Sequence, residues 1–258
     1  MAITLKTKDE VAVLREAGRI NALALEAIRR AVRPGVTTAE LDLIAEEVIR
    51  SHGASPAFLD YPNPDPRYAA FPYPATITAS VNDELVHGIP SHRVLREGDI
   101  VSIDCGCVYR GFVGDSAFTV GVGQISSEAE RLIRITEESL HRAIALATAG
   151  NRLGDVSAAV QQHAERHGYH VVREYTGHGV GREMHEDPQI PNWGRPKTGM
   201  RLRAGMTLAV EPMVMVGSPE VYVKPDRWTV ATRDGKLCAH CEHTIAVTDG
   251  EPQVLTVP

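Results

Sequence analysis

The chain has 258 residues, 43% of them hydrophobic, which is enough for one large or two small domains with a real core. A formal net charge of −6 argues against a dedicated nucleic-acid binder, whose footprint is a basic patch, and no run approaches the ~20 apolar residues needed to cross a bilayer. The opening MAITLKTKDE has no apolar signal-peptide core, and four cysteines are too few for a disulfide scaffold, so the composition predicts a cytoplasmic protein with reduced thiols.

In chain order, the first predicted element is a helix over 8–32, where Val11, Leu14, Ile20, Leu25 and Ile28 recur among Ala, Glu and Arg until RPG stops it. A second helix opens at TTAE, with Glu40 three residues after Thr37 in capping-box spacing, and closes at SHG. The stretch 61–76 holds five prolines, which excludes a central strand and predicts an extended loop, either a cover over a site or a plain surface excursion. REGDIVSID (96–104) then reads as a strand that enters a hairpin through VSIDCGCVYRGFVGDS.

The same order of elements returns. Helices are expected over 127–149, starting SEAE, and over 154–168. Gly35 and Gly53 are eighteen positions apart, as are Gly150 and Gly168. RAGMTLAVE (203–211) aligns with REGDIVSID without a gap, each carrying Arg, Gly two positions on and an acid eight positions on. The two strands lie 107 residues apart and the glycines 115, so the chain reads as one pseudo-duplicated α+β domain over 1–258, with halves of roughly 8–120 and 127–250. Their sheets are expected side by side, with the acid-ended strands at the shared centre. TRDGK (232–236) reads as a hairpin turn between WTVAT and LCAHCEHTIAV.

The chemistry begins in the first hairpin. A turn centred on Tyr109 and Arg110 would make Asp104 and Asp115 direct cross-strand partners, with Cβ atoms about 5 Å apart. Like charges so placed destabilise a sheet, and either a raised pKa or a bound cation would relieve them. Glu211 ends the second acid-ended strand, Glu242 lies in the last long strand, and His178 sits among glycines in YTGHGVGREMHEDP. Two Asp, two Glu and one His form a hard, oxygen-rich set that suits two dications sharing carboxylates; a single zinc would be expected to take more nitrogen or sulfur. The cysteines do not compete: Cys105 and Cys107 share one strand face, and the Cys238/Cys241 CxxC lacks a second pair. HAERH places His163 and His167 at zincin spacing, but its Glu is one position late for HExxH, and the segment reads as a solvated helix end.

The motifs SIDCG…GDS, TGHGVG…HEDP, LAVEPM and CEHTI, with VNDELVHGIP upstream, closely resemble the type I methionine aminopeptidases in order and spacing over nearly the whole chain. That resemblance implies the pita-bread fold, a pseudo-twofold antiparallel sheet covered by helices. It implies Asp104, Asp115, His178, Glu211 and Glu242 as ligands of two divalent ions (Co, Mn, Fe or Zn), with Asp115 and Glu242 bridging, Asp104 on one ion, and His178 with Glu211 on the other. By the same resemblance an activated water is the nucleophile and Glu211 takes its proton. His185 stabilises the oxyanion and His87 contacts the amide beyond the scissile bond.

The implied substrate is the initiator methionine of nascent polypeptides whose second residue is small. Phe58, Tyr73, Thr78, Met184 and Trp228 are the expected pocket walls, although familiar bacterial relatives often carry Cys at the positions of Phe58 and Thr78 and Phe at that of Met184. The implied form is the minimal bacterial one, a monomer with the ribosome as a candidate partner, and Met1-Ala2 is itself a start such an enzyme would trim. The alternatives are an Xaa-Pro aminopeptidase or creatinase-like hydrolase of the same fold, and a metal-free peptide-binding module.

Overall fold

The computed structural model describes residues 3–258; Met1 and Ala2, the start read above as trimmable, lie outside the described residues. The chain builds helices α1 (Lys8–Ala31) and α2 (Thr38–Ser51), then strands β1 (Ser55–Pro56), β2 (Ile77–Val81), β3 (Glu84–Val86), β4 (Ile100–Tyr109) and β5 (Phe112–Gly121). Helices α3 (Ser127–Ala145) and α4 (Leu153–Arg166) follow, then β6 (His170–Val171), β7 (Thr176–Gly179), β8 (Glu186–Pro191), β9 (Thr207–Val210) and β10 (Met213–Met215). The last strands are β11 (Val221–Val223), β12 (Val230–Thr232), β13 (Cys238–His240), β14 (Glu242–Ala246) and β15 (Gln253–Val254).

The predicted capping box at Thr37 forms, and Thr7 builds a second one at the start of α1. Glu10 Oε2 accepts from the Thr7 amide at 3.0 Å and Glu40 Oε2 from the Thr37 amide at 2.7 Å, satisfying donors a helix start otherwise orphans. Helix α3 ends at Ala145, short of the expected 149, because the Leu146 and Ala147 amides turn to carbonyls three residues back and the Ala149 amide bonds Thr248. The matched glycines have matched backbones: Gly35 and Gly150 both have φ of 94°, and Gly98 and Gly205 have 88° and 90°, a left-handed region that side chains disfavour.

The main sheet runs β1-β4-β5-β14-β9-β7-β8, with β2 also on β4 and β15 also on β14. Its observed centre is the β5–β14 pair. The acid-ended strands β4 and β9 lie one place further out on either side, which corrects the expectation that they would meet. In β4 the period-two alternation sends Val101, Ile103, Cys105 and Cys107 into a core with Ile20, Ile28, Leu41 and Ile49 of α1 and α2. Leu208, Val210 and Ile245 pack likewise against Leu132, Ile135, Val156 and Val160 of α3 and α4. Helices therefore cover one face, and Asp104, Gly106 and Asp115 point from the other. All four cysteines are buried free thiols, as expected.

The helix–sheet contact is close enough to predict its failure. A methyl group on Gly114 of β5 would stand 2.6 Å from backbone atoms of Ala17 and Gly18 in α1. Backbone cannot swing aside as a flexible side chain can, so Gly114→Ala is expected to lower the unfolding free energy by about 3 kcal/mol, the upper part of the overpacking range. Guanidinium denaturation checks this; a variant as stable as the parent would contradict the packing described.

Three further expectations need correction. The first hairpin turns on Arg110 and Gly111, both left-handed (φ of 48° and 77°), so Tyr109 closes on Phe112. Asp104 then faces Ala117, and Asp115 faces Gly106. The two acids become diagonal neighbours and, because the register moved by an even number, they stay on one face. Second, TRDGK does turn, with the Gly235 amide bonding Thr232, but it joins two different sheets. Strand β12 already has β11 and β3 on its two edges, so β13 pairs with β10 instead. Third, His163 is not solvated: it is buried against α3 with Nε2 2.9 Å from Glu138 Oε2.

Candidate metal centre

The strand order delivers the five candidate ligands to one place. Asp104 comes from β4, Asp115 from β5, Glu242 from the start of β14, Glu211 from the residue after β9 and His178 from β7. Ligand atoms of Asp115, His178 and Glu242 all lie within 4.8 Å of one another. His178 Nε2 is 3.6 Å from Asp115 Oδ2 and 3.6 Å from Glu211 Oε1. Asp104 joins from the same strand face, its cross-strand partner Ala117 lying two residues beyond Asp115 on β5.

Burial dominates the electrostatics. It pushes Asp115 up to about 7 and Asp104, Glu211 and Glu242 well above the usual carboxylate range, with repulsion among the acids adding to the shift in the last three. Among the described residues no Lys or Arg pairs with any of the four acids; the nearby imidazoles are His178 and His240. Burial pulls both imidazoles down to about 3, so neither supplies a positive charge at neutral pH.

Asp104 Oδ1, Asp115 Oδ1 and Glu242 Oε1 are buried with no hydrogen-bond partner, a costly state that a cation would relieve. The Gly179 carbonyl accepts from His178 Nδ1 at 3.0 Å, which fixes the proton there and leaves the Nε2 lone pair facing the acids. A neutral imidazole with its proton held on the far nitrogen, beside orphaned carboxylate oxygens, fits a divalent metal.

The remaining predicted residues surround this cluster. His185 lies against His178 with the rings tilted by 53° and their centroids 4.3 Å apart, and Tyr61 Oη lies 2.6 Å from His185 Nδ1. His87 sits just past β3 with φ of 60°, a strained backbone for a non-glycine, and burial draws it to about 4. Its ring lies 6.2 Å from Trp228, Trp228 lies 5.1 Å from Tyr73, and Tyr73 lies 6.5 Å from Phe58. Phe58 and Met184 meet over Gly106, each 2.9 Å from where a Cβ would stand. Thr78 is buried in β2 directly opposite Asp104. The five expected wall residues therefore do gather beside the acids.

The proline-rich loop is fastened beside the wall residues. Asp60 and Tyr61 bond back to Tyr73 at its neck, and the Trp228 indole nitrogen donates to the Phe71 carbonyl at 3.0 Å.

Three residues at the site escaped the sequence reading. Gly106 could have been found, since a glycine inside a strand marks a close approach. Tyr61 carried no signal beyond its loop. His240 is buried with Nε2 3.5 Å from Glu211 Oε2 and unpartnered, and only its place two residues before Glu242 hinted at it.

The metallopeptidase family M24 matches residues 12–249, and the chain belongs to that family. It is 47% identical over 256 residues to the methionine aminopeptidase of Clostridium acetobutylicum, with 99% of each chain covered. It superposes on the crystal structure of methionine aminopeptidase from Thermotoga maritima with a TM-score of 0.95 at 44% identity, covering 100% of both chains. A Xaa-Pro dipeptidase from Bacillus anthracis is similar at 27% identity and a TM-score of 0.77, over 98% of this chain but 61% of that one. The fold is the pita-bread arrangement that the sequence resemblance implied. No described helix is long and apolar enough to cross a membrane.

Proposed function

We propose that this chain is a metal-dependent aminopeptidase that removes the initiator methionine from nascent polypeptides whose second residue is small. The observation that carries the reading is the meeting of partnerless carboxylate oxygens with an apolar wall of Phe58, Tyr73, Met184 and Trp228. Asp104, Asp115, His178, Glu211 and Glu242 would hold two divalent ions, whose charge would balance the four carboxylates. Asp115 and Glu242 stand on the two central strands, with Asp104 to one side and Glu211 and His178 to the other, so all five would share in holding the ions. Donors so rich in oxygen accept Mn, Fe, Co or Zn. When bound, such ions polarise a carbonyl and lower the pKa of water.

The chain's own groups supply the rest. Glu211, ionised when the cations are bound and set beside His178 Nε2, accepts the proton of the attacking water. His185, held at Nδ1 by Tyr61, presents Nε2 to the developing oxyanion. His87, neutral near pH 7, contacts the amide beyond the scissile bond. The pocket walls take the thioether side chain, and Thr78 closes the side next to Asp104. On this reading the protein works in the cytoplasm as a monomer on chains emerging from the ribosome, and nucleic acid is not a substrate.

The test is mass spectrometry of metal-reconstituted protein on peptides beginning Met-Ala, Met-Gly, Met-Leu, Leu-Ala and Xaa-Pro, with a chelated control. Metal-dependent loss of Met from only the Met-Ala and Met-Gly peptides is expected. Cleavage of the Xaa-Pro peptides instead would transfer the protein to the proline-specific branch of the fold, and no cleavage at all would favour a binding module.

A further inference from the structure

We infer that Lys6, from the arm preceding the first helix, is a positioning residue for the turn that carries Met184 and His185. The inference rests on the proposed aminopeptidase reading and adds to it the element that fixes the oxyanion-side histidine. Lysine is almost never fully buried unless paired, yet the Lys6 side chain is 4% exposed and its ammonium binds Glu186 Oε2. The Lys6 amide donates to the Gly205 carbonyl at 2.7 Å, so the arm is itself fastened to the segment that enters β9.

Glu186 is the hub of the turn. Its Oε1 accepts from the Arg182 amide at 2.9 Å and the Glu183 amide at 3.4 Å, so residues 182–186 wrap around one carboxylate. Its other oxygen is left to Lys6. Gly181 completes the fit: a Cβ there would run into Glu186 Oε1 and Lys6 Cε and stand 2.7 Å from Lys6 Nζ. The Gly181 carbonyl accepts from the Val113 amide at 2.8 Å, tying the turn to the metal-bearing hairpin two residues before Asp115. Met184 and His185 thus project from a loop whose free carboxylate oxygen is clamped by a residue 180 positions away in sequence.

A second link lies outside the first. Arg182 Nη2 reaches Glu10 Oε1 at 3.2 Å and its guanidinium covers the Phe112 ring at 4.3 Å. Arg182 is largely exposed, so solvent screens this pair, whereas the Lys6 pair is shielded. The buried link is therefore the one expected to set the turn. Displacement of a catalytic group by about 1 Å costs on the order of 100-fold in rate even when the mutated site is remote from the chemistry.

The experiment uses Lys6→Met, which keeps the stem and deletes the charge, with Lys6→Arg, Lys6→Met/Glu186→Gln and Arg182→Ala alongside. Two readouts are taken: kcat and KM on a Met-Ala peptide, and hydrogen exchange of the 181–186 amides. The expected result for Lys6→Met is a kcat lowered ~10- to 100-fold with KM and metal content held, faster exchange confined to the turn, and substantial recovery in Lys6→Arg. Lys6→Met/Glu186→Gln should resemble the single variant because the pair acts as a unit, and Arg182→Ala should stay within about twofold of the parent. Unchanged exchange, an unchanged kcat despite faster exchange, or a kcat that falls only with global unfolding and without rescue by Arg would each overturn the inference. If the parent itself removed no methionine, the aminopeptidase reading would fail on its own, and the exchange data would still decide whether Lys6 holds the turn.

Discussion

Replacing Glu211 by Gln is expected to lower kcat by about 10²- to 10⁴-fold, the range attached to losing a positioned general base. Gln matches the size of Glu and can still place an oxygen near His178 Nε2, which lies 3.6 Å from Glu211 Oε1, but it cannot take a proton. The site makes the loss severe for a second reason. The neighbouring imidazoles cannot take the place of Glu211, since the His178 Nδ1 proton is committed to the Gly179 carbonyl and burial draws both His178 and His240 to about 3. Metal analysis of the purified variant separates the two roles of Glu211: full metal content with a collapsed kcat identifies the proton acceptor, and lost metal identifies the ligand. Glu211→Ala, which removes both roles, should leave almost no turnover. A Glu211→Gln enzyme within tenfold of the parent would contradict the assignment, and an Asp104→Asn enzyme with unchanged metal content and rate would remove the two-ion arrangement.

What the sequence made legible, and what it hid, follows from the range of each signal. Capping boxes at Thr7–Glu10 and Thr37–Glu40 are local, and only the second was read in advance, yet both helix starts fell within a residue of expectation. The repeated glycines were legible for the same reason, because a left-handed backbone selects its residue on the spot. The acids were legible as chemistry through two like charges on one hairpin and through the order and spacing of the motifs that carry them. Pairing was not legible. Whether the first hairpin turns at 109–110 or 110–111 depends on Gly111 accepting φ of 77° beside Arg110, and sequence spacing allows both. The split of TRDGK between two sheets depends on strands more than a hundred residues upstream, because β3 occupies the edge of β12 that a hairpin would need. His163 misled for the opposite reason: its helix end looks polar, and only the tertiary approach of Glu138 buries it.

Removing divalent ions is expected to make the stability of the folded protein decline as pH rises from about 6.5 to 7.5, and restoring them is expected to abolish the decline over that range. In the unfolded chain carboxylates titrate near 4 and imidazoles near 6.5. In the metal-free fold Asp115 is held at about 7 and Asp104, Glu211 and Glu242 well above their usual range, all chiefly by burial. Above pH ~6.5 the folded chain therefore keeps protons that the unfolded chain has released, and stability must fall with rising pH wherever the folded state binds the more protons. The buried imidazoles act in the other direction. His87 and His243 lie near 4 and His178 and His240 near 3, so below pH ~6.5 the unfolded chain takes up protons that the fold refuses. Between about pH 4 and 6.5 the two groups of residues offset each other and stability should level out. Above that window the imidazoles are neutral in both states and the carboxylates dominate up to about pH 7.5; at higher pH the four thiols, whose pKa values burial raises, add a decline that metal does not touch. Cations at the site replace the retained protons, leaving the carboxylates ionised in both states and adding binding energy that the unfolded chain lacks. Guanidinium midpoints at pH 5.5, 6.5, 7.0 and 7.5, with chelator and with Mn or Co, should diverge steadily across the upper part of that range. A chelated protein with the same midpoint throughout, or a decline that added metal leaves intact, would mean that the acids are neutralised by something other than protons and cations in exchange.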